Sequence, residues 1–152
     1  MSQGKLLAIG IASDRAVPVE TFQQAEVIIG QGLVGDRYTE STTKDPGKQV
    51  TFIEQEALEA IAVEYEVQLS HTESRRNLLT SGVPLNHLVG AVFQVGDAAR
   101  FRGLRLCEPC SYLEDLTGKA AKTPLKHRGG LRTEVVQGGT IQVGDKITRL
   151  EE

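Results

Sequence analysis

Apolar positions along the chain fall mostly in short runs broken by Gly, Pro and polar clusters, a spacing that predicts strands. Lys5 to Ala12 reads as a first strand, apolar on both faces through Leu6, Leu7, Ile9 and Ile11. Val17-Pro18-Val19 reads as a turn or strand edge, and Ala25 to Ile29 as a second, buried run. Gly30, Gly32 and Gly35 end regular structure, and the polar stretch Thr39 to Lys48 is expected as a surface loop. Gln49 to Ile53 returns as a strand. Glu54 to Glu66 is the one long helix, with Ala57, Leu58, Ile61, Ala62 and Tyr65 on one stripe and no strong N-cap residue. Ser74-Arg75-Arg76-Asn77 leads into a short strand, Leu78 to Thr80, and Pro84 to Gly90 reads as a turn or a single helical turn. Hairpins follow: Val92 to Val95, a Gly96-Asp97 turn, then Ala98 to Leu106, whose Phe101, Leu104 and Leu106 share a face if Gly103 sits at a bulge. Gln94-Val95-Gly96-Asp97 is echoed by Gln142-Val143-Gly144-Asp145, which suggests tight turns of one type. The strands are many, short and regularly punctuated. The expectation is a mainly β fold, a closed or partly open barrel rather than a βαβ sheet, with a few short helices and the longer one near 54–66.

Composition narrows the class. With 152 residues, 39% hydrophobic and 24% charged, residues 1–152 are expected to form one domain with a real core. The net charge of -3 argues against a nucleic-acid binder. Charge is unevenly spread: Arg100 to Arg132 holds eight Lys/Arg and three Asp/Glu, or +5, leaving -8 elsewhere. A basic segment in an acidic chain suggests a local anionic ligand, with a solvated basic face as the plain alternative. No leader and no membrane span is expected, so a cytoplasmic protein is, and its two cysteines read as thiols.

Both cysteines lie in Cys107-Glu108-Pro109-Cys110, between a strand and a short helix, Ser111 to Leu116, closed by Gly118. Pro109 pushes Glu108 towards an extended conformation and leaves Cys110 at or near the helix N-cap. There the free N–H groups favour thiolate, which is a nucleophile or a soft metal ligand. The pair could be redox-active, half a zinc site, or one functional cysteine with a neighbour. A thioredoxin-like reading lacks its βαβ context, and His71, His87 and His127 lie at no metal-ligand spacing. Cys110 is the preferred functional thiol, with Cys107 structural or a resolving partner. Arg75 and Arg76, beside Asn77, suit phosphate or carboxylate, though on a strand adjacent side chains point to opposite faces, so one of the two should meet a given ligand. Lys126-His127-Arg128-Gly129-Gly130 combines cations with glycines that allow close backbone approach. Asp36, in Gly35-Asp36-Arg37, is a weaker candidate that could simply satisfy its own turn.

The motifs, in their order, resemble the MOSC domain, named after the C-terminal domain of molybdenum-cofactor sulfurases. The resemblance rests on Gly32-Leu33-Val34-Gly35-Asp36-Arg37, Ser74-Arg75-Arg76-Asn77-Leu78, Gly82-Val83-Pro84-Leu85 with Leu88-Val89-Gly90, Phe93-Gln94-Val95-Gly96-Asp97, Cys107-Glu108-Pro109-Cys110, Arg128-Gly129-Gly130-Leu131, and Gly139-Thr140-Ile141-Gln142-Val143-Gly144-Asp145. It implies a MOSC-like barrel binding the molybdenum cofactor (molybdopterin), an anionic pterin. Cys110 would ligate molybdenum or carry sulfur. Arg75, Arg76, Lys126 and Arg128 would hold the pterin phosphate, beside Asn77, Gly129 and Gly130. Relatives of the mitochondrial amidoxime-reducing component often carry an additional N-terminal β-barrel domain that is not expected in this sequence, which makes a homodimer plausible. The resemblance implies a small molybdoenzyme reducing N-hydroxylated substrates with an external electron donor. The alternatives are a sulfur or cofactor carrier whose Cys110 persulfide is charged by a cysteine desulfurase, and a barrel without catalytic chemistry.

Overall fold

The protein is described here from a computed structural model that covers residues 4–14, 17–36, 46–109 and 111–150. Cys110, Arg37 and most of the expected 39–48 loop lie outside the described residues. In chain order the elements are β1 (Lys5–Ile11), β2 (Glu20–Phe22), β3 (Gln24–Ile28), β4 (Gly32–Leu33), β5 (Val50–Glu54), α1 (Gln55–Tyr65), α2 (His71–Ser74), β6 (Leu78–Ser81), β7 (Val92–Val95), β8 (Ala99–Leu106), α3 (Ser111–Thr117), β9 (Leu131–Gln137), β10 (Gly139–Gln142) and β11 (Ile147–Arg149). Single 3-10 turns occupy Pro46–Lys48 and Leu85–Leu88.

An eight-stranded sheet runs β11-β7-β8-β9-β5-β6-β1-β2, and a three-stranded sheet runs β10-β3-β4. Among the described residues neither ladder closes on itself. The nearest approach to the expected barrel is an antiparallel bridge, Lys5 to Lys146, flanked by backbone bonds such as Leu6 N–H to Asp145 O at 2.8 Å, which ties β1 to the turn before β11. The sheet is antiparallel except for β5 and β6, a parallel pair joined through α1 and α2. One βαβ unit is therefore set into the β fold.

Both faces of the central strands are buried. Phe52 and Leu78 enter the main core while their neighbours Ile53 and Leu79 enter a second core under the helices, with Leu58, Ile61, Leu113 and Leu125. Phe52, Phe93 and Phe101 meet at the centre of the main core, with ring centroids 5.2, 5.2 and 5.9 Å apart. In β1 a register shift between Leu6 and Ala8 brings Leu6 and Ile9, three positions apart, into one core. The bulge expected at Gly103 is present as a shift between Gly103 and Arg105.

Two sequence expectations, on β3 and on α1, need correction. The run at Ala25 to Ile29 is a strand but not a buried one, since within β3 only Val27 is fully buried and Ile29 beyond it is 62% exposed. The two Gln-Val-Gly-Asp segments both turn through a glycine at positive φ, 72 at Gly96 and 97 at Gly144, the first linking the hairpin β7–β8 and the second carrying the chain from β10 in one sheet to β11 in the other. On α1 the stripe buries Ala57, Leu58 and Ile61, but Tyr65 is 49% exposed. Helix α2 was not foreseen. Its capping box, Ser70 with Glu73, lies in the sequence Ser70-His71-Thr72-Glu73, but the helix is too short to show periodicity.

Candidate functional site

Strand pairing brings distant residues into one row at an end of the large sheet. Arg105 on β8 pairs with Arg132 on β9, and Arg132 pairs with Thr51 on β5. The Thr51 N–H and hydroxyl donate to Asn77 Oδ1 at 3.0 and 3.2 Å. Asn77 O in turn accepts from Gly10 N–H on β1 at 2.6 Å. Beside this row opens a cleft of about 70 Å³ lined by Gly10, Ala12, Val19, Asp36, Thr51, Arg75, Arg76, Asn77, Cys107 and Arg132.

Arg75 and Arg76 both line the cleft, against the expectation that one would face away. The alternation rule applies to a strand, and these residues precede β6. Arg75 caps α2 in the left-handed region at φ 60, which turns it to the same side as Arg76. Arg75 Nη1 donates to Val17 O at 2.7 Å. Arg76 is an anchor: its Nε donates to Gly129 O at 2.7 Å and its Nη2 to Cys107 O at 3.3 Å. It thereby ties the end of β8, where the Cys107-to-Cys110 run begins, to the glycine pair before β9.

Asn77 is the buried hub of the cleft floor. Its Nδ2 donates to Gly10 O at 3.1 Å and to Asp36 Oδ1 at 3.3 Å, while its Oδ1 is occupied by Thr51. Asp36 does more than satisfy its own turn: it lines the cleft and also accepts from Ala12 N–H at 3.3 Å. Gly129 and Gly130 are glycines because the protein's own backbone comes close. A Cβ on Gly129 would lie 2.4 Å from Cys107 O; one on Gly130, at φ 118, would lie 2.2 Å from Phe52 O. Cys107 is 1% exposed and donates its backbone N–H to Gly130 O at 2.7 Å.

The structure does not bring Lys126 or Arg128 to this cleft. Arg128 turns to α1, where its two terminal nitrogens reach the Glu64 carboxylate at 3.3 and 3.1 Å, and Lys126 is exposed. His127, between them, pairs with Glu108 at 3.4 Å. Arg132 replaces them as the third guanidinium of the cleft, with Nη1 bonded to Gly47 O at 3.2 Å. Sequence reasoning missed Arg132, although it lies two residues beyond the glycine pair and inside the basic segment.

His71 lies behind the cleft and is buried. Its Nε2 is 2.9 Å from Arg76 O, and its Cε1 is 3.2 Å from where a Cβ on Gly10 would sit. A carbonyl only accepts, so Nε2 carries the proton, and the bare Nδ1 has no partner among the described residues. Burial holds this imidazole below its ordinary value of 6.5, against the opposing pull of the backbone bonds. Among the described residues no group of His, Cys, Asp and Glu could hold a metal ion, and no helix is long and apolar enough to cross a membrane.

The MOSC domain model matches residues 39–148. Solved structures show the same fold. YuaD from Bacillus subtilis superposes with a TM-score of 0.81 at 17% identity, over 98% of this chain and 97% of that one. YiiM from Geobacillus stearothermophilus gives 0.76 at 13% identity, over 97% and 75%. YiiM from Escherichia coli gives 0.71 at 15% identity, over 97% and 70%. No curated protein matches significantly. With the family model covering most of its length, the chain belongs to the MOSC domain family, which is associated with molybdenum-cofactor binding.

Proposed function

We propose that this protein binds the molybdenum cofactor with Cys110 as the molybdenum ligand, and acts as a small oxidoreductase on N-hydroxylated substrates. The observation that carries this reading is the convergence of Arg75, Arg76 and Arg132 on one cleft whose wall is Cys107, three residues before Cys110. Guanidinium forks suit a phosphate, and a cleft of about 70 Å³ suits a phosphate head rather than a whole pterin. Of the five N–H groups of Arg76, three are engaged by backbone carbonyls and two remain for an anion. Arg75 and Arg132 would supply most of the charge, and Asn77 would hold the floor rigid. When bound, the group would supply two-electron redox chemistry: an N–OH substrate takes two electrons and two solvent protons to give an N–H and water. Electrons would come from an outside donor. We read the large sheet as a partly open barrel with this cleft at its mouth, and a second copy of the chain would help to cover it.

The test is production in a host that makes the cofactor, with assays of molybdenum and of the fluorescent oxidised pterin. Wild type should hold both. Cys110→Ser should lose molybdenum and keep pterin, while the Arg75→Ala/Arg132→Ala pair should lose both. Loaded wild type should turn over N-hydroxylated bases with an artificial reductant. Absence of pterin and metal from wild type would overturn the reading. A mass gain of one sulfur at Cys110 after incubation with a cysteine desulfurase would then favour the carrier.

A further inference from the structure

A second concavity, distinct from the arginine cleft, lies where the chain passes from the large sheet to the small one at Gln23. It is about 430 Å³, within the range of small-molecule pockets, and runs between β1, β2, β3 and the end of β4. Its apolar surface comes from Ile11, Val17, Pro18, Phe22, Ala25 and Val34. Phe22 and Val34 remain 41% and 45% exposed, so this wall is unpaid apolar surface in the free protein. Two carboxylates, Glu20 on β2 and Glu26 on β3, also line it. Neither makes an ion pair with another described residue. No described cation lines the groove to neutralise them.

Apolar walls with two carboxylates that pair with no described residue are complementary to an organic cation. We infer that this groove is a binding site for an organic cation with an apolar body, an alkyl or aryl ammonium. The body would lie on Phe22, Ala25 and Val34, and the ammonium would meet Glu20 and Glu26. A neutral analogue would gain the apolar contact but not the charge pairing, and an anion would be repelled. The groove backs onto the arginine cleft, since Ile11 and Gly35 line one and their neighbours Ala12 and Asp36 line the other. The two sites thus select opposite charges a residue apart in the chain. The inference rests on the groove alone and needs no bound cofactor.

Isothermal titration with 2-phenylethylammonium, against its uncharged counterpart 2-phenylethanol, tests the proposal on the full chain. The ammonium should saturate one site. The alcohol should bind on the order of tenfold more weakly, and so should the ammonium to Glu20→Gln/Glu26→Gln, with its wild-type affinity falling as salt rises. Both positions are exposed, so the double variant should keep its fold, which circular dichroism verifies. Methyl resonances of Ala25 and Val34 should shift on binding, whereas those lining the arginine cleft should not. Four results would overturn the proposal: no saturable binding, equal affinity for ammonium and alcohol, unchanged affinity in the double variant, or shifts mapping elsewhere. Since purified protein without cofactor serves for the titration, failure here leaves the cofactor reading untouched.

Discussion

Replacing Arg76 by alanine separates anchoring from ligand binding. The guanidinium makes its two shorter bonds to Gly129 O at 2.7 Å and to Cys107 O at 3.3 Å, both on buried residues, beside a longer one to Ser74 O at 3.5 Å. Hydrogen bonds from a charged donor contribute about 1.5–3 kcal/mol each. At the lower end of that range, the two shorter bonds together predict a loss of about 3 kcal/mol. For a chain of this size that corresponds to a fall in Tm of about 6–12 °C. Urea unfolding should show a lower midpoint with an unchanged slope, because the surface exposed on unfolding is the same. Arg132→Ala removes the same charge but only one bond, to Gly47 O at 3.2 Å, and should cost about 1 kcal/mol or less. Arg76→Lys should recover less than half of the loss, since an ammonium cannot reach both carbonyls as a fork does. If Arg76→Ala falls within about 1 kcal/mol of Arg132→Ala, water satisfies the carbonyls and Arg76 is not the anchor described here.

Asn77→Ala should cost about 2–4 kcal/mol in chemical denaturation, because it leaves the Thr51 N–H and Gly10 O without their partner, and a loss under about 1 kcal/mol would contradict its role as hub. Gly130→Ala places a Cβ 2.2 Å from Phe52 O in a backbone region closed to alanine, so it should yield little soluble protein, with normal yield and Tm counting against the packing argument. His71 has its folded pKa held below 6.5, so the unfolded chain takes up the proton first; stability present above 6.5 should be lost as pH falls from 6.5 through the folded value. Unfolding free energies between pH 7.5 and about 5 should show that slope in wild type and lose it in His71→Gln, and the difference between the two curves removes the contribution of Glu54, whose carboxyl is raised above its ordinary 4.5 by burial. Ser70→Ala breaks the capping box of α2 and should cost about 1 kcal/mol, measured by the same unfolding curves.

What the sequence made legible was local. Alternation and glycine punctuation located most of the strands, the α1 stripe located its helix, and the β8 bulge followed from one glycine among apolar residues. What it hid depends on pairing between distant segments. Arg128 and Arg132 both sit near the glycine pair, and nothing local says which one meets Arg75 and Arg76. The decision comes from register. Arg132 lies on β9 opposite Thr51 and Arg105, so it is carried to the row that Asn77 and Gly10 complete. Arg128 lies before β9 begins and is claimed by Glu64 of α1, 64 residues away. The same logic separates the two adjacent arginines from the strand rule: Arg75 caps α2 in a left-handed conformation, and that single φ puts both guanidinium groups on one cleft. A cationic site built this way is strung along the chain from Arg75 to Arg132, and its members become neighbours only because β5, β6 and β9 meet at the same end of one sheet. The pairing that positions the site is therefore also part of what holds the fold, which is why Arg76 and Asn77 should register in stability before they register in ligand binding.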